Sequence, residues 1–151
     1  MRAVDLMEDY PSLDMTASAL DAARALAAEH RPALVVLDHG RPFTVLPASQ
    51  VIALLVPPWL QEDPSLVHVF DEKGADEAAK RLRGKAVRDV LPVEKDRREL
   101  PVVPPTATLI ECAALMARLR TPLVVVADRD GAMQGAVTAA TLLETLLAAG
   151  S

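Results

Sequence analysis

The sequence predicts an α/β (α+β) protein made twice from one plan, each half a small sheet carrying two packed helices. The first observation behind this is a repeat. Residues 123–147, LVVVADRDGAMQGAVTAATLLETLL, have a diluted copy at residues 34–56, LVVLDHGRPFTVLPASQVIALLV. Each copy runs from an aliphatic stretch ending at an Asp through a Gly turn, a second apolar stretch and a small or polar patch into a helix with paired aliphatic residues. In that helix Val51, Ile52, Leu55 and Val56 fall at the spacing of Leu142, Leu143, Leu146 and Leu147. Chance must reproduce several elements in one order to imitate this, so the repeat outweighs any single motif. The second observation is that 51% of the residues are hydrophobic and only 3% aromatic, which calls for a core of Ala, Val and Leu and close helix-to-sheet packing. The third is that each copy reads as strand, helix, strand, strand, helix, too little to cover its own sheet, so that it needs its twin.

The elements follow in order. Residues 4–7 are a short apolar turn before Pro11, and residues 12–16, SLDMT, are extended. Ser18 with Asp21 three residues on marks a helix start, and the Ala-rich stretch to Ala28 has high helix propensity. Pro32 closes that helix. Residues 34–37 form a continuous aliphatic run of the kind found in a strand buried on both faces. Asp38, His39 and Gly40 turn the chain into a second strand over 43–46, and a helix from about Ala48 to Val56 is stopped by Pro57 and Pro58. The connector that follows lacks Ser and Gly runs. Asp63-Pro64 resembles a helix start, Gly74 a helix stop, and a second short helix over 76–83 ends at Gly84. Trp59, Leu60, Leu66, Phe70 and Leu82 are the residues that would pack it onto the body. The cluster EKDRRE at 94–99 has nearly balanced charge and reads as a solvated loop. Extension resumes at 100–103.

The second copy is cleaner. Thr108 and Glu111 form a capping-box pattern, and Leu109, Cys112, Ala113, Met116 and Leu119 line one helical face. Residues 124–126 are the buried strand, 128–131 the turn and 133–137 the next strand, and the last helix ends near Ala149. Further upstream Leu20, Ala23 and Ala27 align with Leu109, Cys112 and Met116, and AVDLM at 3–7 returns as VRDVL at 87–91. The division is therefore 1–56 for the first unit, 57–84 for the helical connector and 85–151 for the second unit.

Composition excludes several function classes. A net charge of -5 without a block of Lys and Arg makes nucleic acid a poor partner. The single cysteine, Cys112, permits no internal disulfide, sits on an apolar helix face and has no metal-ligand spacing with His30, His39 or His68. No Ser or Cys stands in a nucleophile motif, Asp38 and His39 merely adjoin in a turn, and Gly135 lacks the other glycines of a dinucleotide loop. No catalytic residue, metal ligand or required cofactor is assigned. The acidic start MRAVDLMEDYP is unlike a signal peptide, no stretch reaches membrane-spanning length, and a cytoplasmic protein without membrane insertion is expected.

The order of apolar strand, acidic turn, Gly-x-hydrophobic-Thr and paired leucines in RTPLVVVADRDGAMQGAVTAATLL, with VRDVL ahead of it, resembles the CBS domain, and the chain as a whole resembles a tandem CBS pair, or Bateman module. The resemblance covers nearly everything except the connector. It implies two units about a pseudo-twofold axis, with clefts that in this family often hold AMP, ADP, ATP or S-adenosylmethionine. It also implies a sensor acting on enzymes or transporters rather than an enzyme, and pairing of modules into a homodimer through the apolar helices that end in Leu142, Leu143, Leu146 and Leu147 and in Val51, Ile52 and Leu55.

The family's nucleotide pattern, Gly-x-x-Thr/Ser-x-x-Asp, implies roles for particular residues. Gly135 to Thr141 reads G-A-V-T-A-A-T: Thr138 keeps the hydroxyl, while Thr141 replaces the carboxylate that accepts both ribose hydroxyls. The first copy has Pro47 and Gln50 at those positions. A charged hydrogen bond is worth about 1.5–3 kcal/mol, so its loss weakens ribose binding by about tenfold to over a hundredfold. Thr138 has a second role open to it as the N-cap of the last helix. In some nucleotide-binding members a His-Arg-like pair before a Leu-Pro-Val strand reaches a phosphate. His30-Arg31 matches that pair, Arg120 repeats Arg31, and Pro122 matches the proline. Each Arg is also suited to the carbonyls of a helix C-terminus, and His30 falls near its helix's core-facing row. The resemblance thus implies a weak adenine-nucleotide site in the second copy, with Val102, Val103, Thr121 and Pro122 lining a slot for the base, Thr138 and Thr141 near the sugar, and Arg120 with Arg31 or His30 at the phosphate. The alternative is a ligand-free module that docks on a separately encoded partner.

Overall fold

The computed structural model describes residues 1–56, 62, 63, 65, 79–97 and 99–150. The elements are α1 (Ala3–Leu6), β1 (Ser12–Asp14), α2 (Ala19–Glu29), β2 (Ala33–Asp38), β3 (Arg41–Pro47), α3 (Ala48–Leu55), α4 (Val87–Val90), β4 (Val102–Val103), α5 (Leu109–Leu119), β5 (Leu123–Ala127), β6 (Met133–Thr138) and α6 (Ala139–Ala149), with a 3-10 turn at Glu94–Asp96. The strands form two three-stranded sheets of the same order, β1-β2-β3 and β4-β5-β6. The expected α/β class, with one small sheet and two long helices per copy, is observed. Residues 4–7, expected as a turn, are instead largely taken up by the four-residue helix α1.

The chain separates into two compact units, and neither is continuous in sequence. One contains Met1–Tyr10, Leu37–Thr44 and Arg98–Ser151; the other contains Pro11–Val36 and Val45–Arg97. The short helices have therefore changed places relative to a division at 1–56 and 85–151. α1 belongs with the second copy and α4 with the first. The physical reason is a matched set of backbone bonds. Ala3 N–H donates to Ala107 O at 2.8 Å and Val4 N–H to Pro105 O at 3.0 Å, while Val87 N–H donates to Ala17 O at 2.8 Å and Arg88 N–H to Met15 O at 3.0 Å. Each short helix also starts on a carboxylate that takes the N–H before it, Asp5 from Arg2 at 2.9 Å and Asp89 from Ala86 at 2.8 Å.

Within the unit of the second copy, β4 pairs parallel with β5, Val102 opposite Val125, and β5 pairs antiparallel with β6, Leu123 opposite Thr138. Every residue of β5 is buried, as its unbroken aliphatic run requires of a central strand covered on both faces. Its core joins Ala3, Leu6, Val103, Ala107, Cys112, Met116, Val124, Val126, Val137 and Leu142. The other unit's core joins Ala19, Ala22, Leu26, Leu34, Val36, Leu46, Val51, Leu82, Val87 and Val90. Leu82 thus packs as expected; Trp59, Leu60, Leu66, Phe70, Pro64, Gly74 and most of the helix expected over 76–83 lie outside the described residues. Glu94 to Asp96 are exposed, in keeping with a solvated segment.

The two long helices that precede the central strands show that the repeat register needs correction by one residue. Ser18 caps α2, accepting from Leu20 and Asp21 N–H, and Thr108 caps α5 in a capping box with Glu111. The buried pair Ala22 and Leu26 in α2 matches Cys112 and Met116 in α5. The equivalents of Cys112 and Met116 are therefore Ala22 and Leu26, not Ala23 and Ala27.

Candidate functional site

Of the residues expected to hold a ligand in the second copy, Arg120, Thr121, Pro122, Thr138 and Thr141 gather at the end of its sheet where β5 begins and β6 ends, while Val102 and Val103 lie further along, opposite Val125 and Val126. β5 starts at Leu123 beside the last residue of β6, Thr138. The α5–β5 turn brings Arg120, Thr121 and Pro122 to the same end, and Ala139 N–H donates to Pro122 O at 2.8 Å, fixing the start of α6 against that turn. Thr121 Oγ1 donates to Leu123 O at 3.1 Å. Thr138 caps α6: its Oγ1 accepts from Thr141 N–H at 3.3 Å and lies 3.2 Å from Thr141 Oγ1. Thr145 Oγ1 in turn donates to Thr141 O at 2.9 Å. Both hydroxyls are half-buried and already engaged with the helix end, so the N-cap role of Thr138 is realised in the fold. Val102 is 46% exposed and Val103 5%. Of that strand, then, Val102 offers an apolar surface while Val103 is core.

Arg120 is the C-cap of α5 in the left-handed conformation, φ 53°, with its N–H on Met116 O; Thr121 N–H also reaches Met116 O, at 3.2 Å. The first copy repeats this closure. His30 caps α2 at φ 52°, and Arg31 N–H donates to Leu26 O at 3.3 Å. Both are Schellman closures, in which the left-handed position usually belongs to glycine. Arg120 is therefore the counterpart of His30, and Thr121 that of Arg31. His30 is exposed, not part of its helix's core row, because the left-handed step turns the chain off the helix at that residue. The guanidinium of Arg120 is exposed and, among the described residues, has no hydrogen-bond or ion-pair partner.

In the first copy Ala48 N–H donates to Pro32 O at 2.8 Å, the counterpart of the Ala139–Pro122 bond. Pro47 precedes α3 and offers no side-chain cap. Gln50 Nε2 is spent on Val90 O at 3.4 Å. His30 and Arg31 belong to one compact unit and Arg120, Thr121, Pro122, Thr138 and Thr141 to the other. The sequence held a signal for the right register: Ser18 and Thr108, like Pro32 and Pro122, are ninety residues apart.

Cys112 is fully buried, and burial pushes its thiol up from the ordinary value, with Glu111 nearby adding to the effect. That is the opposite of an activated nucleophile. Among the described residues no group of His, Cys, Asp or Glu is arranged to hold a metal, and no helix is long and apolar enough to cross a membrane.

Each unit also has an apolar groove between its two long helices. One, of about 300 Å³, is lined by Ala113, Met116, Ala117, Leu142, Leu143 and Leu146 among others. Its counterpart, of about 230 Å³, is lined by Leu26, Ala27, Ala48, Val51, Ile52 and Leu55 among others. Ile52, Leu143 and Leu147 are 56%, 59% and 71% exposed.

The family model for the CBS domain matches residues 87–148. Among solved structures, a CBS domain-containing protein of unknown function from Kribbella flavida is 44% identical, with 97% of this chain and 99% of that one covered and a TM-score of 0.88. A CBS domain pair/ACT domain protein from Thermotoga maritima is 16% identical over the whole of both chains, TM-score 0.68. CBSX2 of Arabidopsis thaliana, solved in complex with AMP, is 19% identical over 99% of this chain and 98% of that one, TM-score 0.66. The last two likenesses establish the fold alone. No match is found among curated proteins.

Proposed function

The chain belongs to the CBS domain family, and from that premise we propose that this regulatory CBS pair senses an adenine nucleotide or similar anionic metabolite, bound weakly, and acts in trans on an enzyme or transporter. The observation that carries the reading is Arg120: an exposed guanidinium with no partner among the described residues, directly before Thr121 and Pro122 in the turn whose Pro122 carbonyl takes the first N–H of α6. A guanidinium matches phosphate geometry and keeps its charge at all relevant pH. The solved complex of CBSX2 with AMP supports an adenine nucleotide as the first ligand to try. Ribose finds no carboxylate here, since Thr141 stands at that position and its hydroxyl lies at hydrogen-bond distance from Thr138. Binding then leans on the phosphate and on the apolar edge, and falls with added salt because the cation is exposed.

Calorimetric titration with AMP, ATP and S-adenosylmethionine tests this. Saturable binding that disappears in Arg120→Ala is the expected result. If none binds below about millimolar, a standard free energy of only about -4 kcal/mol, the second reading takes its place: a ligand-free module that docks on a separately encoded protein. Thr138, Thr141 and Gln50 favour that alternative, each being hydrogen-bonded within its own unit. Under both readings the module is a cytoplasmic homodimer, its two apolar grooves and the exposed Ile52, Leu143 and Leu147 supplying the self-association surface.

A further inference from the structure

The segments that open the two copies are anchored alike and then part at one residue. Arg2 bridges Thr108, and Ala86 bridges Ser18. α1 and α4 make the same pair of backbone bonds to the turn before their unit's long helix. Met7 and Leu91 leave the two helices with the same extended geometry, φ -67° ψ 149° and φ -68° ψ 149°. The next residue is Glu8 in one segment and Pro92 in the other.

Glu8 forms an antiparallel bridge to the outer edge of β6, donating to Ala136 O at 2.9 Å and accepting from Ala136 N–H at 3.0 Å. Gly135 makes this approach possible. A Cβ on Gly135 would lie 2.8 Å from Glu8 O and 3.4 Å from the Met7 side chain. The obstructing atom is backbone, which has no rotamer to yield. The conformation of Gly135 asks for no glycine, since its φ is not positive; the close approach alone does. Counting back from the residue before the last helix of each copy, Thr138 and Pro47, the counterpart of Gly135 is Thr44. Thr44 carries a Cβ, and Pro92 has no N–H to donate. The pair that builds the bridge in one copy is thus replaced on both sides in the other.

We propose that Gly135 is the seat of a latch: it lets the second-copy unit take Met1–Tyr10 as an added edge segment held by the Glu8–Ala136 bridge, and the strap comes free when that seat is filled. Ala3 and Leu6 are buried in this unit's core, so the strap that the latch holds carries two core side chains.

Amide hydrogen exchange on the full chain tests this with Gly135→Ala, Glu8→Pro, the double variant and Thr44→Gly. Glu8→Pro keeps the glycine and removes only the donor. The expected result is a loss of protection of at least tenfold at Ala136 and across the amides of Met1–Tyr10 in both single variants, with β5 amides unchanged. The double variant is expected to exchange no faster at those sites than Gly135→Ala alone, and Thr44→Gly to leave protection at 87–90 unchanged. Protection retained within twofold at Ala136 in Glu8→Pro overturns the latch. So does loss of protection spread equally through β5 in Glu8→Pro, which would mean that the unit opens as a whole and not at the strap. Should Gly135→Ala fail to fold, Glu8→Pro decides alone.

Discussion

His30 and Arg120 hold the same post in the two copies, each ending its long helix in the left-handed conformation, φ 52° and φ 53°. A side chain there costs roughly 1–2 kcal/mol, a cost glycine avoids while loosening the unfolded chain by about 0.4–1 kcal/mol. His30→Gly and Arg120→Gly are each expected to raise stability by about 0.5–1 kcal/mol in urea unfolding. A decrease in both would show that the side chains do structural work at the caps.

Arg120 separates binding from stability. Arg120→Ala is expected to lower nucleotide affinity at least tenfold, the scale of a lost charged hydrogen bond of about 1.5–3 kcal/mol. Ribose and deoxyribose nucleotides should bind the unaltered protein alike. Isothermal titration at low and high salt measures both, and strong ribose discrimination would assign the sugar to groups other than Thr141.

Thr138 is expected to show its cap before any other role. Thr138→Ala should cost about 1 kcal/mol and Thr138→Ser much less, since serine keeps the accepting oxygen for Thr141 N–H. Equal losses in both variants would point to the methyl group and not the cap.

Cys112 gives a pH signature. Its thiol is raised above the ordinary value of 9.0 in the folded protein. As pH climbs past that value the unfolded chain loses the proton first, so the unfolded state is favoured there. The contribution is complete below about pH 9 and is lost as pH rises toward the higher folded value. Cys112→Ala should remove this alkaline decline in urea titrations, and an unaltered decline in that variant would assign it to other groups.

The grooves predict the assembly. Light scattering at micromolar concentration should report twice the 16.1 kDa chain mass, and Ile52→Lys with Leu143→Lys should halve it, because each places a charge on an exposed apolar face. A 16 kDa species in the unaltered protein would remove the dimer.

The sequence made the fold legible wherever local chemistry decides structure. The aliphatic run of β5, the capping box of Thr108 and Glu111, and the turn at 128–131 are all readable, because each rests on residues within a few positions of one another. The register of the repeat was harder. Leucine spacing alone aligned Leu20 with Leu109 and so set Arg31 against Arg120; the N-caps and prolines shift that alignment by one residue and put His30 there instead. The exchange of α1 and α4 lay beyond local reading, since the bonds of Ala3 to Ala107 and of Val87 to Ala17 join residues far apart in the chain. At the candidate site the residue types were legible. Their engagement was not, because the hydrogen bonds that occupy Thr138 and Gln50 depend on how the helix end and α4 are placed.

The exchanged helices set an order on synthesis. Ribosomes deliver roughly 5–20 residues per second, and Met1–Tyr10 emerges long before Arg98–Ser151, the part of the chain it completes. For several seconds Ala3 and Leu6 have no core to enter. The first-copy unit waits too, but only until α4 has left the exit tunnel, so it can close first, whereas the strap cannot dock before Pro105, Ala107 and Ala136 have been made. Nascent chains arrested at successive lengths and probed by protease should show the segment 1–10 still open to cleavage after α2 and β2 have become resistant.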